Sequence, residues 1–253
     1  MRGHQAAAAT DVGKVREHNE DRWLVDRRHG VLVVAVADGV GGAHGGDVAS
    51  EAAVNELARA YFERADRDPG RNLADAMKAA NAAVLGAAES KGLRGAATTV
   101  VAAAIKGRRA AIANLGDSRA YLLRHAAIRQ VTTDHTGAQS RSITRFAGDP
   151  RGVRPDVFSE DLGPGDRLLL CSDGVTIHLP EQDLASLLAD GDAEFAARRI
   201  VMEAVARGGR DNATAVVVVA APRIIRGDLV ALWTTVVLAI AAIMTTIWLT
   251  SQH

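Results

Sequence analysis

Four aspartates stand beside glycine or asparagine next to strongly apolar runs: Asp38-Gly39, Gly116-Asp117, Asp173-Gly174 and Asp211-Asn212. A carboxylate at a strand end is held by a rigid sheet yet reaches open space, and a neighbouring glycine lets a backbone carbonyl or a ligand approach closely. Taken singly, each Asp-Gly pair is equally an ordinary turn, because Asx side chains cap turns and glycine tolerates positive φ. Four together form a set whose convergence has to come from the fold. Hard oxygen donors with no thiolate or imidazole cluster suit Mg²⁺ or Mn²⁺, which keep several waters. Two such ions about 4 Å apart lower the pKa of a bridging water and clamp a phosphoryl group for in-line attack. Arg16, beside Asn19-Glu20-Asp21, carries the planar guanidinium that binds two phosphate oxygens at once. The alternative for Arg16 is a surface salt bridge to Glu17 or Glu20.

The elements that must position these groups are legible in the apolar patterning. A β-branched run at 30–37 reads as a buried strand, and apolar residues at helical spacing predict helices over 47–65 and 73–90. Three short apolar runs, 97–105, 110–115 and 120–123, are separated by breaks too short for crossover helices, so they pair antiparallel. Residues 166–172 and 214–221 are further strands, with helices at 181–188 and 194–206 between them. Strands clustered apart from helices indicate an α+β layered domain rather than a doubly wound parallel sheet.

Composition narrows the function. The 253 residues carry 30 Lys+Arg against 30 Asp+Glu, with 48% hydrophobic and 4% aromatic residues. That suits one domain of about 200 residues with a full core. With no basic surplus and few stacking rings, a nucleic-acid partner is not expected. A lone cysteine, Cys171, excludes an internal disulfide and a multi-cysteine zinc site. Residues 229–250 are 22 positions without a charge, roughly 33 Å as a helix, with Trp233 and Trp248 near the ends and Arg223 and Arg226 on one flank. They read as a single transmembrane helix that leaves the large domain cytoplasmic, rather than as a buried core helix or an amphipathic surface helix. The expected organisation is a domain at 1–221, a linker at 222–228, the membrane helix at 229–250 and a short tail at 251–253. Residues 1–10 are too poor in large apolar side chains for a secretory signal.

Six motifs in order then resemble one family, the metal-dependent serine/threonine protein phosphatases of type 2C, bacterial branch. They are Gly13-Lys14-Val15-Arg16-Glu17-His18-Asn19-Glu20-Asp21, Val36-Ala37-Asp38-Gly39-Val40-Gly41-Gly42, Gly116-Asp117-Ser118-Arg119, Asp134-His135-Thr136, Cys171-Ser172-Asp173-Gly174 and Gly209-Arg210-Asp211-Asn212-Ala213-Thr214. The resemblance covers about residues 10–220. It implies two packed antiparallel β-sheets flanked by helices (α-β-β-α layers), with metals in a cleft at one edge. It further implies that Asp38 bridges two Mn²⁺ or Mg²⁺ ions, that the Gly39 carbonyl binds one, and that Asp173 and Asp211 complete the pair. Glu20 and Asp21 would hold metal-bound waters, Asp117 with Asp173 would form a weaker third metal site, and Arg16 would grip the phosphate. Asn212 would orient Asp211 or a water. A metal-bridged hydroxide would then attack phosphorus directly, which makes Arg16 and Asp38 the expected catalytic residues.

The sequence departs from the family in two places. Val40 stands where many members have a histidine able to act as general acid, and Ala43 stands where bacterial members have a histidine, leaving His44 one place beyond and without an assigned role. Only residues 137–141 separate Asp134-His135-Thr136 from Ser142-Ile143-Thr144-Arg145, where bacterial relatives carry a longer flap. The expected activity is dephosphorylation of phosphoserine and phosphothreonine in proteins, opposing a bacterial Ser/Thr kinase at the membrane. The alternatives are a catalytically dead, membrane-tethered phosphatase-like binding module, and a phosphatase of a small phosphomonoester or an anti-sigma-factor antagonist.

Overall fold

A continuous run of apolar, β-branched residues buries the longest strand on both faces, and the rest of the domain is layered around it. The structure is a computed structural model and describes residues 3–40, 45–64, 68–137 and 142–221. Strand β3 (Val31–Val40) runs antiparallel to β2 (Asp21–Arg28) on one side and to β5 (Val100–Lys106) on the other. A two-residue strand, β4 (Ala97–Thr98), pairs the end of β3 at Gly39 and Val40. Strands β6 (Arg109–Leu115) and β9 (Asp156–Asp161) complete this sheet in the order β2-β3-β5-β6-β9. The second sheet has the order β1-β11-β10-β7-β8, from β1 (Gln5–Asp11), β7 (Arg119–Arg124), β8 (Ala127–Gln130), β10 (Arg167–Cys171) and β11 (Ala213–Val219). All of the named pairings are antiparallel.

Alternation along the strands divides the core into three layers. Leu32, Val34 and Val36 of β3 face Leu168 and Leu170 of β10 and Val216 and Val218 of β11 between the sheets. Their neighbours Val31, Val33, Ala35 and Ala37 pack under α1 (Gly46–Phe62) and α2 (Pro69–Ser90), against Leu57, Tyr61 and Met77. On the far side Leu169, Ala215 and Val217 lie under α4 (Glu181–Ala189) and α5 (Ala193–Arg207), against Leu184, Leu188 and Ile200. A four-residue helix, α3 (Asp173–Thr176), follows β10 directly. The α-β-β-α layering expected from the resemblance is therefore present.

Two local expectations are revised. The predicted strand at 97–105 is β4 and β5 with Thr99 between them. Helix α2 begins a turn earlier than residue 73, because Pro69 sits in its first turn and the Asp68 side chain accepts from Arg71 N–H at 2.9 Å. Strand β1 escaped the patterning altogether. Its run of four alanines has helical propensity, but in place it pairs residue for residue with the valine-rich β11. The predicted membrane helix at 229–250 lies outside the described residues, and among the described residues no helix is long and apolar enough to cross a membrane.

Candidate metal centre

The strand ends gather the predicted acids. Register places Asp21, the first residue of β2, directly opposite Asp38 near the end of β3. Asp173 opens α3 just beyond β10, close enough for its charge to act on Asp38. Asp211 precedes β11, and Asp117 lies in the turn between β6 and β7. Asp38-Gly39 is thus strand and Asp173-Gly174 is the start of a helix, so neither pair is the ordinary turn that its composition allows. The glycines are there for close approach. A Cβ on Gly39 would meet Gly46 O at 2.4 Å, and one on Gly174 would meet Asn212 O at 1.9 Å.

Crowding of like charge dominates the electrostatics. Burial pushes the Asp38 carboxyl well above the usual range, and the charges of Asp21, Asp173, Asp211 and Asp117 push it further. Asp21, 2% exposed, is raised by burial to about 7 despite hydrogen bonds from Thr214 and Ser172. Its Oδ2 accepts the Ser172 hydroxyl at 2.8 Å, while its buried Oδ1 has no partner. Burial and Asp173 lift Asp117 to about 6, and burial and Asp211 lift Asp173. Among the described residues one cation bonds this group directly: Arg16 Nη2 donates to Asp211 Oδ2 at 2.7 Å, a bond that holds the guanidinium pKa above its ordinary value. Of the two sequence-based roles for Arg16 the structure shows a third state, an ion pair with Asp211 rather than with Glu17 or Glu20.

Several residues that pattern reading did not select fasten these acids. Thr98 Oγ1 donates to Asp38 O at 2.9 Å, Asp38 N–H donates to Thr99 Oγ1 at 3.2 Å, and Thr99 Oγ1 shares a 2.7 Å bond with Ser118 Oγ. Ser172 Oγ also accepts from Thr214 N–H at 3.0 Å. Threonine and serine at the ends of apolar strands are the available signal, since a buried hydroxyl needs a partner. Asn212 lies between Asp211 and the start of β11. Its side chain bonds Glu20 N–H, Val12 O and His18 O at 2.8 to 3.0 Å and so ties down the loop between β1 and β2. Only its backbone N–H holds Asp211 Oδ1, at 2.9 Å. Glu20 accepts through its carbonyl from Gly39 N–H at 3.3 Å and from Ser50 Oγ at 2.6 Å. His44 and residues 138–141 of the short flap lie outside the described residues.

A cavity of about 460 Å³ opens beside the acids, lined by Asp117, Arg119, Asp134, Thr136, Asp173, Thr176 and Ile177. A larger one of about 900 Å³, between Pro69 at the start of α2 and Val157 on β9, contains none of the site aspartates. Among the described residues no three acidic, histidine or cysteine side chains close into a cage by themselves. The donor set nonetheless fits a hard divalent cation: oxygen only, strongly negative, with a buried orphan oxygen on Asp21.

The family model for protein phosphatase 2C matches residues 13–207. The chain belongs to the protein phosphatase 2C family. The serine/threonine phosphatase Stp of Listeria monocytogenes is 35% identical, over 83% of this chain and 93% of that protein. The solved catalytic domain of the serine threonine protein phosphatase PstP, in complex with two manganese ions, superposes with a TM-score of 0.79 at 32% identity and covers 87% of this chain and 99% of that one. The phosphatase MsPP from Mycobacterium smegmatis, in complex with cacodylate, gives 0.75 at 34% identity over 85% and 98% of the two chains. Asp211 lies just beyond the end of that family match and before β11, where it takes its bond from Arg16.

Proposed function

We propose that this 2C-type phosphatase hydrolyses phosphoserine and phosphothreonine in proteins at the strand-end carboxylates, using Mn²⁺ or Mg²⁺. The observation that carries the reading is the group of five aspartates around Asp38, four of them raised by burial and by one another, with one arginine in contact. Asp38, Asp173, Asp211 and the Gly39 carbonyl hold two ions, Glu20 and Asp21 support their water shell, and Asp117 with Asp173 holds a weaker third. When bound, the ions supply Lewis acidity, an acidified water and positive charge for the phosphoryl oxygens. Arg16, with its side chain half exposed, uses one donor on Asp211 and keeps the others for phosphate oxygens. Val40 offers no proton, so the leaving alcohol takes its proton from another group.

The test is hydrolysis of a phosphothreonine peptide by the full chain, with Mn²⁺ and with chelator, beside a phosphoprotein and a small phosphate ester. Metal-dependent turnover of the peptide and protein is expected. Turnover confined to the small ester would move the substrate to that class, and tight Mn²⁺ binding with no turnover on any of the three would leave a binding module. The uncharged stretch at 229–250 supports a single-pass anchor with the catalytic domain in the cytoplasm, where a membrane-bound Ser/Thr kinase is the opposing partner. The full chain then sediments with membranes and is released by detergent; release by salt alone would rule the anchor out.

A further inference from the structure

The Asp134-His135-Thr136 run is among the sequence motifs, yet the chemistry above gives neither Asp134 nor His135 a part. In the fold this pair is set against the turn that carries Asp117. His135 N–H donates to Gly116 O at 2.9 Å, and Gly116 N–H donates back to the ring Nδ1 at 3.1 Å. A ring nitrogen that accepts from an amide carries no proton, so the hydrogen bonds put the proton on Nε2, which donates to Asp156 Oδ2 at 3.0 Å. Arg145 Nη1 donates to the other oxygen of Asp156 at 2.8 Å and stands 3.2 Å from the ring Nε2. On the far side of the turn, Asp134 takes Arg119 Nη2 at 2.7 Å and Nε at 3.0 Å. Asp117 therefore lies between two fastened neighbours, Gly116 and Arg119. The ring is 4% exposed, and Gly116, at φ +112, has Thr99 directly against it: a Cβ there would meet Thr99 Cβ at 2.6 Å.

The same histidine also anchors the short flap. Its carbonyl accepts Thr144 N–H at 2.8 Å and Thr144 Oγ1 at 3.0 Å. Thr136 pairs with Ile143, and Gly137 N–H donates to Ser142 O at 2.9 Å. His135 thus joins the Asp117 turn to the edge strand β9 through its ring and reaches Thr144, beyond the flap, through its carbonyl.

We propose that His135 is a positioning residue whose ring holds the Asp117 carboxylate on the wall of the 460 Å³ cavity. The significance of Asp117 rests on the phosphatase reading; the contact does not. Two isosteres divide the ring's bonds between them. His135→Asn leaves an amide oxygen near the place of Nδ1 for Gly116 N–H, whereas His135→Gln reaches toward the place of Nε2 and gives up the Gly116 bond.

The experiment uses the full chain without metal and follows hydrogen exchange at the Gly116 amide by NMR, with melting curves to check folding. Exchange at Gly116 rises at least about tenfold in His135→Gln and stays within about threefold of the parent in His135→Asn. Calorimetric titration with Mn²⁺ then shows His135→Gln weakening the same binding step as Asp117→Asn, by about 10- to 100-fold, with the double variant no weaker than Asp117→Asn alone. Unchanged exchange in both variants, an equal rise in both, or losses that multiply in the double variant would overturn the assignment. A parent chain inert toward every phosphate ester would remove the phosphatase reading and leave the exchange result standing.

Discussion

Strand β10 has an aspartate near each end, and the two are treated in opposite ways. At its start Asp166, with its side chain 5% exposed, accepts Arg124 Nη2 at 2.7 Å, Arg124 Nε at 3.0 Å and Gly163 N–H at 2.7 Å. Burial works against ionisation there, but these bonds outweigh it and hold the carboxyl below its ordinary pKa. Just beyond its other end Asp173 is raised by burial and by Asp211, and its nearest companions are further carboxyls. At one end the protein supplies its own counter-charge; at the other it leaves negative charge to be matched by something that binds. A balanced composition of 30 acids and 30 bases conceals this local imbalance.

The sharpest way to break the comparison is Asp38→Asn. Turnover of a phosphothreonine peptide falls by about 10²–10³-fold or more, as for loss of a central electrostatic group. The metal-free protein melts no lower, because the change removes a repelled carboxyl from a crowded site. A melting drop of the size seen for a deleted core side chain would show instead that these acids hold the fold together.

The next effect is on the pH dependence of stability. In the folded chain Asp21 titrates at about 7 and Asp117 at about 6, both above the ordinary value of 3.8. The folded state therefore binds these protons more tightly than the unfolded state does. Their contribution is fully present below about 4 and is lost as pH rises toward 7. Asp166 has the opposite sign, giving stability above its ordinary pKa that is lost as pH falls through the depressed value. Melting of the metal-free chain should therefore peak in mild acid, and saturating Mn²⁺ at pH 7.5 should raise the melting temperature. A metal-free curve that climbs steadily from pH 5 to pH 8 would contradict this account.

The smallest effect is at the arginine-matched end. Arg124→Ala leaves Asp166 without its main partner at a cost of about 1–2 kcal/mol, limited because the Arg124 side chain is itself 40% exposed. Denaturant melts would read that loss with phosphatase turnover per folded molecule unchanged. Altered metal dependence in this variant would mean that the two ends are coupled and the contrast is not local.

How much could be read beforehand follows from the range of each interaction. Strands β3, β6 and β10 declared themselves because consecutive apolar residues leave them no solvent face. Arg16 was visible as a planar cation beside acids, but its bond to Asp211 joins residues 195 positions apart, and no local pattern encodes that. The hydroxyls of Thr99 and Ser172 carried no fixed meaning in sequence, because their partners, Ser118 and Asp21, lie elsewhere in the chain.

By itself the sequence determined the inventory: which strands are buried on both faces, where carboxylates punctuate them, and that no thiolate or surplus of positive charge competes for the site. These are matters of side-chain chemistry and period, and they are local. The tertiary structure alone decided that Asp21 faces Asp38 across one sheet and that Asp173 and Asp211 arrive from the other. It also decided that Gly39 and Gly174 serve close packing rather than turns. Register and sheet stacking set those relations, and the resulting loss of water and crowding of like charge shift the pKa values that no isolated segment of the chain would show.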